Sequence, residues 1–283
     1  MSEFKTKTWE QYEQGQAFKR RIGLEAEALR NERFYRGEQW NDAREGRLPK
    51  PVFNLVRRIT DYLVGAVAGG NLSVTYVDDS VATSRSAKAE AALKRGIGLL
   101  NRHVAYRWEK CHMDRLTCRL LLDAALSGDG VAYCYWDTAM DGSGDYGGDI
   151  RTVSWNNTDL YAADMNRADI QSQEYIILAG RTSVHALRRE ARAAGVSEDE
   201  IKNIIPDNER EIQSGDMARY ELEGDEEAKA TYIIKFWRED GRVVFEKSTR
   251  DCVIRRGQTD CRLYPIAYLN WTPSKNAFLS SSR

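Results

Sequence analysis

The chain has 283 residues, 42% of them hydrophobic and 30% charged, with 42 Lys and Arg against 43 Asp and Glu for a net charge of −1. That length fits one large domain or two modest ones and allows roughly three quarters of the unfolded surface to be buried, so folding needs neither disulfides nor metal staples. The balanced charge excludes a purely electrostatic grip on DNA or on an anionic membrane, which requires a marked basic excess.

From Thr8 to about Tyr35 there is no proline, and Trp9, Tyr12, Phe18, Ile22, Leu24, Leu29 and Phe34 recur at helical intervals, which predicts a helix that Gly37 closes. The opening residues carry no apolar run of a signal peptide, and the longest apolar run, Tyr62 to Ala68, is far short of the ~20 residues that span a bilayer. A loop with two glycines and two prolines follows. Pro51 suits the first turn of a second helix, whose apolar Phe53, Leu55, Val56, Ile59, Tyr62, Leu63 and Val67 are expected to be buried before Gly69-Gly70. Two more helices are expected over about Ser84–Asn101 and Trp108–Ser127.

At Gly128-Asp129-Gly130 the period changes. Val131–Trp136 is aromatic and β-prone, and Ile150–Trp155 can pair with it as a hairpin around a glycine-rich connection. Glu174–Leu178 reads as a third strand and Val184–Ala194 as a short amphipathic helix. Residues 198–227 hold twelve acidic side chains and read as a mobile acidic loop. Strands resume at Thr231–Trp237, Val243–Lys247, Cys252–Arg256 and Tyr264–Asn270. Helices first and antiparallel strands after make an α+β architecture, divided into a basic helical region (1–127) and a strand-rich region (128–283).

The chemistry-bearing residues are sparse. His103, His112 and His185 stand in no ligand spacing, and no GxSxG elbow or GxxxxGK[ST] phosphate loop is present. The odd set Cys111, Cys118, Cys134, Cys252 and Cys261 contains no CxxC pair; Cys111 and Cys118, seven apart on one helix, read as buried free thiols. A calcium loop from Asp141 would use Asp141, Ser143, Asp145 and Asp149. Its sixth position is Tyr146 instead of glycine and its twelfth Thr152 instead of glutamate, so a solvated hairpin tip is preferred. A nuclease centre would draw on Asp251, Asp260 and Glu246 with Lys247 around a divalent cation. Thirteen Lys and Arg precede residue 60, including Lys19-Arg20-Arg21 and Arg57-Arg58, and nine more lie in 85–119. They read either as solvated helix faces or as a patch complementary to an acidic neighbour or to phosphate.

Four segments in order carry a resemblance. FYRGEQW (Phe34–Trp40), LPKPVFNLVRRITDYLVGAVAG (Leu48–Gly69), LLLDAALSGDGVAYCYWD (Leu120–Asp137) and YPIAYLNWTPSKNAFLSSSR (Tyr264–Arg283) resemble the N-terminal half of tailed-bacteriophage portal proteins, notably those of prophages. The resemblance implies a portal wing-like fold with framework residues at Trp40, Pro51, Phe53, Asn54, Tyr62, Gly128, Gly130 and Trp271. Trp40, Phe53 and Tyr62 are expected as core anchors, Asn54 as a cap or bridge, and Gly128-Asp129-Gly130 as a left-handed turn into the strand. It further implies a non-enzymatic subunit of a dodecameric ring at the capsid vertex of the virion, assembled in the host cytoplasm, through which double-stranded DNA passes without sequence specificity. Terminase, which supplies the ATP hydrolysis, head-completion or connector proteins, and capsid or scaffolding proteins would be its partners, with no cofactor, metal or membrane. The stem, clip and crown of such proteins would lie beyond these residues. A metal-dependent DNA-processing nuclease and a small scaffold or adaptor are the competing readings.

Overall fold

The structure, a computed structural model, describes residues 7–40, 49–70, 73–78, 86–140, 147–207, 228–273 and 278–279. The architecture is α+β, helices first and antiparallel sheets after. Where one long helix is expected at the start there are two, α1 (Lys7–Ile22) and α2 (Leu24–Arg36). Gly23 separates them in the left-handed region (φ 70°), a conformation open to glycine at little cost. Gly37 (φ 87°) closes α2, its N–H bonding to the carbonyls of Arg33 and Phe34. α3 (Leu55–Ala68) begins at Leu55 and not at Pro51, because the Asn54 carboxamide accepts the Arg57 N–H at 3.0 Å and sets the first turn there. α4 (Ala87–Lys110) is capped by Ser86 and runs on through 102–110, since neither glycine nor proline interrupts it there. His112, at φ 50°, turns the chain into α5 (Met113–Ser127).

The predicted hairpin forms. β1 (Asp129–Asp137) pairs with β2 (Asp149–Trp155) from Val131 opposite Trp155 to Asp137 opposite Asp149. β1's other edge receives β8 (Ile266–Asn270), giving a three-stranded sheet of order β2-β1-β8. The second sheet is a five-stranded antiparallel meander of β3 (Leu160–Ala162), β4 (Tyr175–Ser183), β5 (Lys229–Glu239), β6 (Arg242–Ser248) and β7 (Val253–Gln258), adjacent in that order. β3 is a three-residue strand that the sequence pattern misses. Alternation along β5 sorts its two faces. Ile234 and Phe236 point into a core shared with Val131 and Ile266 of the smaller sheet and with Leu160, Ile176 and Phe278. Ile233 points the other way, into a cluster with Trp9 and Tyr12 of α1 and Ile177 and Ala179 of β4. The layers run α1, large sheet, small sheet, then α5 with α2 and α3.

α6 (Val184–Ala193) covers the end of the large sheet with Leu187 and Ala191. Part of the expected acidic loop is ordered: α7 (Glu198–Ile201) turns Ile201 and Ile204 into the same cluster, three residues apart on one face. Residues 208–227 lie outside the described residues.

Lys19 departs most from its reading as surface charge. It sits fully buried in the last turns of α1, where Nζ donates to the carbonyls of Asn157 (2.5 Å), Thr158 (2.7 Å) and Leu160 (2.5 Å) and lies 4.1 Å from the centre of the Tyr161 ring. Three ammonium hydrogens meet three carbonyls, and α1 is thereby pinned to the turn that enters β3. Burial pulls the Lys19 pKa from 10.5 down to about 7, against the opposing pull of Asp159, Glu25 and Asp129.

Candidate functional site

The four segments that carry the resemblance meet in pairs. Phe34–Trp40 and Leu48–Gly69 form the first joint. The Asn54 carboxamide donates to the Tyr35 carbonyl at 2.8 Å while its oxygen caps α3, so one side chain ties the end of α2 to the start of α3. Trp40 Nε1 donates to the Pro51 carbonyl at 3.0 Å, and the Tyr35 hydroxyl donates to Asp61 at 2.7 Å, which holds the phenol proton above its ordinary pKa. A Cβ on Gly37 would lie 3.2 Å from Val52 and 3.3 Å from Asn54, so the left-handed turn is also where the two segments touch.

Leu120–Asp137 and Tyr264–Arg283 form the second joint, the β1–β8 pairing. Gly128 stands at φ 94° as expected, and its carbonyl accepts the Trp271 N–H at 2.9 Å. Asn270 donates to buried Asp129 at 3.0 Å and to the Phe278 carbonyl at 2.9 Å. Phe278 stacks on Tyr268 with ring centres 4.4 Å apart, and burial pushes the Tyr268 hydroxyl pKa well above its usual range. Gly130 is an extended strand residue; its role is close approach, because a Cβ there would lie 2.7 Å from the Leu120 carbonyl of α5.

The second joint and the end of α3 border one cleft. A space of about 230 Å³ opens between Val67 at the end of α3, Leu120 and Leu121 of α5, Ala132 of β1, and Ala267 and Leu269 of β8. Three of the four segments line it. Its lining is mostly aliphatic, with Thr117 and the stacked ring of Tyr268 beside the aliphatic side chains, so it offers chiefly shape and apolar contact.

Beside this cleft, the helical layer corrects the expected core. Trp40 is 40% exposed, Phe53 75% and Tyr62 75%, and α3 contains no buried residue. At about 100° per residue, the half-buried Thr60, Val64 and Ala68 form one narrow row, and α3 packs on α5 and α2. Leu55, Val56, Ile59, Tyr62, Leu63 and Val67 occupy the neighbouring arc and are all exposed. The apolar arc is wider than the contact that covers it. Pro51, also exposed, accepts from Trp40 and shapes the approach to α3.

α4 repeats the pattern: it buries nothing, its half-buried row is Leu93, Ile97, Asn101, Val104 and Trp108, and Leu99 and Tyr106 stand seven residues apart on the opposite face. The extended segment 73–78 is held along it by Asn101, which accepts the Tyr76 N–H at 2.7 Å and donates to the Tyr76 carbonyl at 3.1 Å.

The residues weighed for metal or nuclease chemistry stand apart. Glu246 accepts from Thr8 on one face of β6, while Lys247 reaches Glu190 from the other. Asp251 and Asp260 lie beyond opposite ends of β7, about 20 Å apart at ~3.3 Å per residue, and Asp260 pairs with Arg242. Asp141, Ser143, Asp145 and Tyr146 lie outside the described residues, whereas Asp149 accepts from Arg107 and Lys110 of α4 and Thr152 contacts Cys134. Among the described residues no group of three or more His, Cys, Asp or Glu could hold a metal ion.

All five cysteines are unpaired, but Cys118 is exposed and Cys111 half-buried, so the expected pair of buried thiols on one helix is not found; Cys252 is the buried one. A scan against protein-family models and a search of curated proteins return no match for this chain.

Proposed function

We propose that this chain is a structural, non-enzymatic subunit of a tailed-phage portal ring, its wing portion, placed at the capsid vertex of the virion and serving the passage of double-stranded DNA. The observation that carries the reading is the meeting of the four portal-like segments. They are dispersed over Phe34–Arg283, yet they join in pairs and three of them share the cleft between α3, α5 and β8. Segments that build one framework fit a protein whose work is geometric. The uncovered apolar surface of the helical layer adds support, because a subunit of a closed assembly keeps such faces for its neighbours. Terminase, head-completion proteins and capsid or scaffolding proteins would be its further partners in this reading. Among the described residues no helix is long and apolar enough to cross a membrane.

Negative-stain microscopy of the purified full chain tests the proposal, with rings around a central hole as the expected image. Uniform monomers, together with DNA cleavage that depends on a divalent cation and is lost on substituting Glu246 or Asp251, would overturn it in favour of a nuclease.

A further inference from the structure

We infer that the turn Asn157–Leu160 and the face of Tyr161 form a ready-made receptor for one primary ammonium group, of which Lys19 is the resident, tethered ligand. Once that side chain is cut back, a free alkylammonium ion can take its place. The inference goes beyond the ring reading and does not depend on it. The receptor belongs to the turn because other contacts hold the turn in place. Leu160 is fully buried and stands opposite Leu178 in the pairing of β3 with β4, and the Asn157 carboxamide donates to the Ser127 carbonyl at 2.8 Å. Asn157–Asp159 is a single turn of 3₁₀ helix. Carbonyls at the end of such a turn keep acceptor capacity and carry the negative end of its dipole.

The geometry matches one kind of cation. The carbonyl oxygens of Asn157, Thr158 and Leu160 converge on Nζ at 2.5, 2.7 and 2.5 Å, and the Tyr161 ring centre lies 4.1 Å away. Three acceptors suit the three N–H bonds of a primary ammonium, and the ring face attracts a cation. Asp159, Glu25 and Asp129 add negative charge around the site. A guanidinium spreads its donors in one plane, so Arg20 and Arg21, next in the sequence, do not fit the same cradle. The receptor thus selects one member of a basic run and fixes the register of α1 on the sheet. The helix is shaped to reach it. A Cβ on Gly15 would lie 2.6 Å from the Tyr161 ring, and Tyr12 meets that ring edge-on at 5.1 Å. Tyr12, Gly15 and Lys19 share one helical face.

Lys19→Ala removes the side chain beyond Cβ, which is the skeleton of n-propylammonium. The test is a series of thermal melts of the full chain, with and without the variant, at constant chloride concentration. At tenfold its dissociation constant, n-propylammonium should shift the variant's unfolding equilibrium about elevenfold and raise its melting temperature by about 3–5 °C. The unmodified chain, whose receptor is filled, should not move. 1-Propanol brings one donor and no charge, tetramethylammonium brings charge and no N–H, and potassium brings charge alone; none should stabilise the variant. If the variant is unfolded, its refolding is followed by circular dichroism, and recovery of the helical signal on adding n-propylammonium is the expected result. No effect of n-propylammonium in either measurement overturns the inference. So does an equal shift of the unmodified chain, which marks a general salt effect, or an equal shift from 1-propanol, which marks mere cavity filling. An equal shift from tetramethylammonium or potassium overturns the assignment to a primary ammonium.

Discussion

The sheet body and the helical layer solve the burial problem differently. In the sheets, every strand from β3 to β6 contributes buried residues, two faces of the large sheet are covered, and even a lysine is enclosed with all its donors matched. In the helical layer, among the described residues between Leu24 and Leu121, none is buried, although that stretch carries apolar residues at helical spacing throughout. Both regions carry apolar residues in abundance. What differs is whether the chain supplies the second surface. An apolar helix face predicts that something will cover it and is silent on whether the cover is intramolecular.

The sharpest way to break this contrast is at Lys19. Replacement by methionine keeps the length of the side chain but strands three buried carbonyls, and a loss of about 3–5 kcal/mol is expected in denaturant unfolding. A loss below ~1 kcal/mol would mean that α1 is no firmer than the helices beyond it. The same residue gives a pH signature. Its pKa falls from 10.5 to about 7 on folding, so between those values the unfolded chain holds the proton that the folded chain releases. Stability should therefore climb as pH rises from about 7 toward 10.5, and the Lys19→Met protein should lose that slope. A level profile in the unmodified protein would mean that the carbonyl cage keeps the ammonium charged.

Gly130→Ala tests the seam between the two regions. The new methyl would meet the Leu120 carbonyl at 2.7 Å, and a loss of about 1–3 kcal/mol is expected from thermal melts. Asn54→Ala removes a cap and the bond to Tyr35, with an expected loss of about 1 kcal/mol and a drop in helical circular dichroism ahead of any change in the sheets. Smallest of all, Tyr62→Gln should change the stability of the unassembled chain by less than ~0.5 kcal/mol. A large loss there would show that α3 is packed within the subunit after all.

Much of the fold is legible in the residues, for local reasons. The hairpin of β1 and β2 follows from two β-prone runs and a glycine-rich connection, and the turn at Gly128 from the change of period around a glycine. Asn54 reads as a cap because its carboxamide stands ahead of an apolar helix, and it proves to be both cap and bridge. Burial was less legible. Phe53 and Tyr62 have core chemistry, yet each is 75% exposed, because no element among the described residues covers them. Lys19 inverts the error: beside Arg20 and Arg21 it reads as solvated charge, and its acceptors lie from 138 to 141 positions away in the sequence. The cleft is similarly hidden, since Val67, Leu121 and Leu269 become neighbours only once β8 has paired with β1.

Gly23 lies where the pinned and the uncovered parts of the molecule join. α1 before it is fastened to the large sheet by Lys19 and Trp9; α2 after it belongs to the outer layer, where Asn31 donates to the Leu126 carbonyl of α5. A Cβ added at Gly23 would meet no atom within 4 Å, so a side chain there would strain the backbone without a steric clash. Alanine there would strain the backbone without touching anything, and its effect would measure how stiffly the angle between the two helices is set.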